Sequence, residues 1–293
     1  MQRISLVITD VDNTLFDWLK TWEQSFTYLI GHISEITGVD VATLIWESRR
    51  IHRCHGTSEY RFLIRSLASL VTGSSPEKVT GQFSETISTW LNIRDRNAVL
   101  YPGVADSLRL IRASGCAVAA YTESLRYYAL RVANRTGLDG LLSSIYVLPD
   151  HKTPADITPD ELAIYGGSEM ALSKTNCTTA SPQMRKPDPQ ILLRIARDFN
   201  VGPSETVYVG DGLMKDMLMA QDAGVTDVHA TYGDTRDSPA YALLRSVSHW
   251  SDGEIERERA ITRRDVRPSY SIASFGEILN LFTFGCGTAA SSR

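Results

Sequence analysis

The chain has 293 residues, 43% hydrophobic and 22% charged, enough to bury a sizeable core in one large domain or two smaller ones. Its formal net charge of -4 excludes an overall basic field of the kind that recruits nucleic acid. The apolar run after Arg3 is too short for a signal peptide, and no run reaches the length of a membrane span. Cys54, Cys116, Cys177 and Cys286 are scattered without CxxC spacing, so the expectation is a reducing cytoplasm with no zinc cluster or disulfide framework.

The first element is an apolar run, Ile4 to Ile8, which reads as a buried strand and ends abruptly in Asp10-Val11-Asp12-Asn13-Thr14. Period two along an extended segment points Asp10 and Asp12 to the same side. Two carboxylates so close repel unless a cation or a shared proton intervenes. A polar turn would explain the residue types. A metal-assisted nucleophile site would explain them as well.

The pattern then turns helical. Asp17 to Ile33 carries apolar residues at helical spacing, Val41 to Ile51 reads as a second helix, and Ser58 to Val71 as a third. Ser75 and Pro76 are a cap and first-turn pair for a fourth, running to Ile93. Residues 16–98 therefore read as a helical domain inserted after the first strand of a sheet. Its segment Arg49 to Gly56 is locally basic, which fits a solvated face or contact with an anionic substrate. Trp18, Trp22, Trp46 and Trp90 read as core or interdomain packing.

An alternating strand and helix pattern resumes at Tyr101. It predicts a helix over 104–113, a buried strand over 116–121 ending at Thr122, a helix over 124–136 and a strand over 145–148. Residues 149–184 are rich in Pro, Gly, Ser and Thr and read as an irregular insertion, serving as a flap, an oligomer contact or a loose loop. Lys186-Pro187 precedes a helix to Phe199. A strand over 206–209 ends in Gly210-Asp211, and a helix follows over 213–223. A strand over 227–231, a helix over 240–249, a charged helix over 254–264, a strand over 270–273 and a helix over 275–284 complete the core, and 285–293 read as a flexible tail.

The fold expected from this order is α/β, a Rossmann-like parallel sheet with an inserted helical domain, the core being residues 1–15 and 99–284. Right-handed crossovers would bring Asp10 with Asp12, Thr122, Lys186, and Asp211 with Asp216 to one edge of that sheet. Each group alone is a weak signal. The four in this order are a strong one.

In these motifs the chain resembles the haloacid dehalogenase-like (HAD) hydrolase superfamily. Asp10-Val11-Asp12-Asn13-Thr14 matches the family's first motif, Thr122 the second, Lys186-Pro187 the third, and Gly210-Asp211 with Asp216 the fourth. The helical insert stands where the family's C1-type cap stands. The resemblance implies that Asp10 is a nucleophile forming an aspartyl-phosphate, and Asp12 a general acid and then base. It implies that Thr122 binds a phosphoryl oxygen and Lys186 neutralises charge. It implies Mg²⁺ held by Asp10, the backbone carbonyl of Asp12 and Asp211, with Asp216 as direct or outer-shell support. An acid at Asp12 favours phosphoryl chemistry over dehalogenation. Lys215, beside Asp216, departs from the family pattern and would either face outward or alter metal affinity.

The implied activity is a Mg²⁺-dependent phosphatase acting on a small phosphorylated metabolite, with no nucleic-acid or membrane partner. A phosphotransferase or phosphomutase using the same site, and a non-catalytic binding protein on this fold, remain open at this point. The sequence carries no signal for oligomeric state.

Overall fold

Apolar residues in continuous runs form strands buried on both faces, and alternate residues supply opposite faces of the sheet. The computed structural model describes residues 1–167, 170–260 and 265–286. Its strands are β1 Gln2–Ile4, β2 Leu6–Thr9, β3 Ala117–Leu125, β4 Ser144–Leu148, β5 Asn176–Thr179, β6 Thr206–Gly210, β7 Thr226–Ala230, β8 Tyr270–Ile272 and β9 Phe282–Phe284. Its helices are α1 Trp18–Thr37, α2 Val41–His55, α3 Ala68–Val71, α4 Pro76–Gln82, α5 Ser84–Asn97, α6 Val104–Ala113, α7 Arg126–Thr136, α8 Pro159–Ile164, α9 Gln190–Asp198, α10 Leu218–Asp222, α11 Pro239–Val247 and α12 Asp252–Ala260.

Strands β5-β4-β3-β2-β6-β7-β8 form one parallel sheet in that order. Leu6 and Ile8 enter the core on one face with Ala119, Tyr121 and Tyr208, while Val7 enters the other with Val118, Ala120, Val207 and Val209. The chain leaves β2 toward β3, β4 and β5, then returns to β6 on the other side of β2. That reversal opens a crevice beyond the carboxyl ends of β2 and β6, the position favoured for ligand sites in open α/β sheets.

Several elements differ from their sequence reading. The first run is two strands, because Ser5 leaves the ladder and bonds Glu205 through its backbone N–H (2.9 Å) and hydroxyl (3.1 Å). β1 pairs with β9, so the last helix over 275–284 is instead a 3₁₀ turn over Phe275–Asn280 and an edge strand. Residues 58–71 are not one helix. Tyr60, Phe62, Leu63, Ile64 and Leu67 are all buried, a pattern that no single helical stripe satisfies, and only a 3₁₀ turn at Ile64–Ser66 and α3 are regular. The helix predicted over 75–93 breaks at Phe83 into α4 and α5. Trp46 is 56% exposed under the guanidinium of Arg50, outside any core.

The insertion over 149–184 is more regular than expected. β5 extends the sheet, and α8 docks on the helical insert. Tyr165 is fully buried in the insert's core, and Arg65 joins the two segments through Glu161 (2.6 Å) and Asp156 (3.0 Å). Helix α11 does the same from the other side, adding Tyr241, Leu244 and Val247 to the apolar cluster formed by α1, α2 and α5. Of the predicted tail, Gly285 is bonded to the carbonyl of Ile4 (3.0 Å), and 287–293 lie outside the described residues, as do 261–264 of the charged helix. Among the described residues no helix is long and apolar enough to cross a membrane.

Candidate active site

Asp10 is the first residue beyond β2, and its backbone N–H still bonds the carbonyl of Val209 in β6 (2.8 Å). This fixes its carboxylate at the crevice, 4% exposed. Lys186 arrives from the turn before α9, through a cis peptide to Pro187, beneath a bond from the Tyr121 hydroxyl to the carbonyl of Met184 (2.8 Å). Its ammonium spans Asp10 Oδ1 (2.5 Å) and Asp216 Oδ1 (2.7 Å).

Asp216 is reached through a π-helical turn over Leu213–Met217 in place of the α-helix start expected there. The wider turn brings the carboxylate back over its own loop. Oδ2 accepts the Gly212 N–H (2.8 Å), and Oδ1 accepts the Tyr208 hydroxyl (2.6 Å). The return requires glycine at 210, where a Cβ would lie 2.6 Å from Asp216 Cβ. Asp211 completes the group: one carboxylate oxygen each from Asp10, Asp211 and Asp216 lie within 4.8 Å of one another. The backbone of Asp211 is held by His229, whose Nε2 donates to its carbonyl (2.9 Å).

Asp12 Oδ2 accepts both the Thr122 hydroxyl (2.7 Å) and the Ser124 hydroxyl (2.9 Å), and Ser124 N–H bonds Thr122 Oγ1 (2.9 Å). The register shift of β3 between Tyr121 and Leu125 allows this approach. Thr122 is fully buried behind Asp12, whereas Ser124 lines the cavity.

All the predicted site residues therefore meet at one place. Burial pushes the Asp10 carboxyl up to about 8; the Lys186 charge opposes that rise, and Asp216 and Asp12 add to it. Burial also pushes Asp12 up to about 6, helped by the nearby Glu59. Asp211 is raised by burial and by Asp216 and Asp10. Burial opposes the charge on Lys186, but Asp10 and Asp216 hold its ammonium well above the usual lysine range.

A cavity of about 220 Å³ opens over this cluster. It is walled by the helical insert at Trp18, Ser58 and Glu59, and by the segment from Asp234 to Trp250. Three features of the site lie beyond the sequence reading. Glu59 pairs with Arg94 of α5, two residues joined only by the fold of the insert. Ser124 was within reach, two positions after Thr122 on an extended strand. Tyr208, one of the largest fully buried side chains, reads in sequence as strand core, yet its hydroxyl bonds Asp216. Lys215 lines the cavity rather than facing outward, bonded to Glu123 (2.5 Å) with its ammonium 4.7 Å from the ring of Trp250. Arg49 and Arg53 do not line the cavity; both pair with Asp252 (2.5 and 3.0 Å), which leaves the anionic-substrate reading of that basic run without support.

Comparison with known proteins agrees with the geometry. Residues 4–224 match the family of haloacid dehalogenase-like hydrolases. The chain is 23% identical over 261 residues to the glyceraldehyde 3-phosphate phosphatase of Methanopyrus kandleri, covering 88% of this chain and 95% of the relative. It is 22% identical over 254 residues to the phosphoglycolate phosphatase of Nitrosococcus oceani, covering 84% and 95%. The crystal structure of 2-haloacid dehalogenase from Pseudomonas syringae pv. Tomato superposes with a TM-score of 0.54 at 19% identity, covering 95% of this chain and 97% of that one, a likeness of fold alone. With the matched residues spanning β2 to β6 of the sheet, the helical insert and every motif of the buried cluster, the chain belongs to the haloacid dehalogenase-like hydrolases.

Proposed function

We propose that the chain is a Mg²⁺-dependent phosphatase that hydrolyses a small phosphorylated metabolite through an aspartyl-phosphate on Asp10. The observation that carries the reading is the charge balance at the crevice. Three carboxylates converge within 4.8 Å, and a single lysine spans two of them. The donors are oxygen only, as a hard divalent cation prefers, and their burial makes the uncompensated charge costly. Asp10, Asp211 and the backbone carbonyl of Asp12 would hold the ion. Asp216 supports it from behind, since Lys186, Tyr208 and Gly212 already engage both of its oxygens. When bound, the ion lets an anionic nucleophile approach an anionic phosphoryl group.

The chain's own residues supply the rest. Asp10 attacks phosphorus while Lys186 offsets charge on the carboxylate and the phosphoryl oxygens. Asp12, with its carboxyl pushed up to about 6, gives a proton to the leaving oxygen and then takes one from the attacking water. Thr122 and Ser124 hold Asp12, which lines the cavity, to that task by both gripping its Oδ2. The presence of this second acid is what favours phosphoryl chemistry over dehalogenation. Residues 16–98 serve as the cap that excludes water and meets the leaving group. The names of both relatives, each a phosphatase of a small phosphorylated compound, support the same reading.

The test is phosphate release from a panel of phosphorylated metabolites, with Mg²⁺ and with EDTA, for the wild type and Asp10→Asn. Release that requires the metal and disappears in the variant is expected. Equal release by Asp10→Asn would overturn the assignment, and phosphoryl exchange without net release would identify a transferase.

A further inference from the structure

Helix α11 presents one face to the cavity. Tyr241, Leu244, Arg245 and Ser248 all line it, at the i, i+3, i+4, i+7 spacing of a single helical stripe. The helix is not free to swing away, because Tyr241, Leu244 and Val247 also enter the apolar core of the helical insert. At its C-terminal end the carbonyl of Val247 accepts His52 Nδ1–H (2.8 Å), and just beyond it His249 Nδ1 meets the Ser58 hydroxyl (3.0 Å). This face is therefore a fixed wall of the cavity that the catalytic cluster also lines.

The other cations on the cavity wall all have carboxylate partners among the described residues. Lys186 is matched by Asp10 and Asp216, Lys215 by Glu123, Arg236 by Asp234, and Glu59 by Arg94. Arg245 is the exception among the described residues. Its guanidinium lies 5.1 Å from the ring of Tyr241, with no carboxylate within ion-pair distance. A planar five-donor cation held against an aromatic ring at the edge of a cavity is poised for a carboxylate or phosphate. In the same cavity, Trp18, Leu244 and Trp250 offer apolar walls for the body of a leaving group.

We propose that Arg245 is a specificity-determining residue, and that the substrate is a phosphomonoester whose leaving alcohol carries a second anionic group. This rests on the phosphatase reading above but adds a chemical class to it. The second group is a carboxylate or another phosphate, two sources of the same chemistry. Arg245 binds it at the far wall while the phosphoryl group sits over Asp10.

The test uses a series of ω-carboxyalkyl phosphates of increasing chain length, each beside the ω-hydroxyalkyl phosphate of the same length, with the corresponding bisphosphates as a second arm. For each pair, kcat/KM is measured for the wild type, Arg245→Gln and Arg245→Lys. The wild type is expected to favour the charged member by about tenfold to hundredfold. Arg245→Gln should remove most of that ratio, chiefly through KM, and Arg245→Lys should restore part of it. The arm with the larger ratio identifies carboxylate or phosphate. Binding of the same pairs is measured in the Asp10→Asn background, with and without Arg245→Gln, so that recognition is read without turnover.

Phosphate release with no preference for charged leaving groups, or a preference that survives Arg245→Gln, overturns the subsite and leaves the phosphatase reading intact. Preferential binding that Arg245→Gln abolishes, with no release from any compound, upholds the subsite and overturns the phosphatase reading. Unchanged thermal midpoints in both variants separate loss of recognition from loss of fold.

Discussion

Replacing Arg94 by Met isolates the energetics of the wall between insert and site. Arg94 and Glu59 form an ion pair with both side chains 7% exposed, and the guanidinium also lies 4.5 Å from the ring of Tyr128. Removing the cation leaves Glu59 buried beside Asp12 and Ser124 with no opposite charge. Stranding one partner of a buried pair costs about 3–5 kcal/mol, whereas replacing both by groups of similar volume is often neutral. For a chain of this size each kcal/mol moves the thermal midpoint by roughly 2–4 °C, so Arg94→Met should lower it by roughly 6–20 °C. Glu59→Gln alone should strand Arg94 and also destabilise. The pair Glu59→Gln with Arg94→Met should recover most of the loss. Urea unfolding of the four proteins closes the cycle and gives the coupling directly. A cost for Arg94→Met below about 1 kcal/mol, the range of an exposed pair, would refute the reasoning. So would a double variant whose loss is the sum of the two single losses.

Stability should fall with acid through His52. It is buried against the Val247 carbonyl, with His55 on its own helix and His249 on the facing segment, and burial holds it down to about 4 from an ordinary 6.5. Above pH 6.5 neither the folded nor the unfolded form is charged; below it only the unfolded chain takes up the proton, so roughly 3 kcal/mol is lost by about pH 4. Urea titrations across that window check this, and His52→Gln should flatten the slope. Gly233→Ala would bring a Cβ within 2.0 Å of the Asn13 carbonyl and 2.8 Å of Asp211 Cβ. The forced shift should cost about 1–3 kcal/mol and displace Asp211, seen as a lower thermal midpoint with a sharp fall in kcat. Arg49→Ala and Arg53→Ala should leave KM unchanged and stability within about 1 kcal/mol, since their partner Asp252 is 74% exposed. A raised KM in either would return the basic run to the substrate.

What the sequence by itself determined is the part of the protein written in local pattern. Short apolar runs leading into Asp10, Thr122 and Asp211 are strands, because a buried parallel strand is apolar along most of its length and polar residues mark its carboxyl end, although β3 continues past Thr122 to Leu125. Handed crossovers then leave one edge for those ends, so the cluster was legible before its geometry. Even the break after the first strand, filled by helices, could be read from the change of period. Tertiary structure alone decided what pairs with what. Ile4 and Leu6 belong to different sheets because Ser5 bonds a loop two hundred positions away in the chain. Residues 58–71 do not form one helix because their apolar side chains are buried on all sides, and within 149–184 the segment at Asp156 and Glu161 is held by Arg65 and β5 by the edge of β4. The walls of the cavity come from this level too. Glu59 lies near Asp12, and Arg245, on α11 where it packs on the insert, meets no carboxylate among the described residues. Neither local propensity nor periodicity records which distant charge a side chain will meet, since that is fixed only when the helices dock.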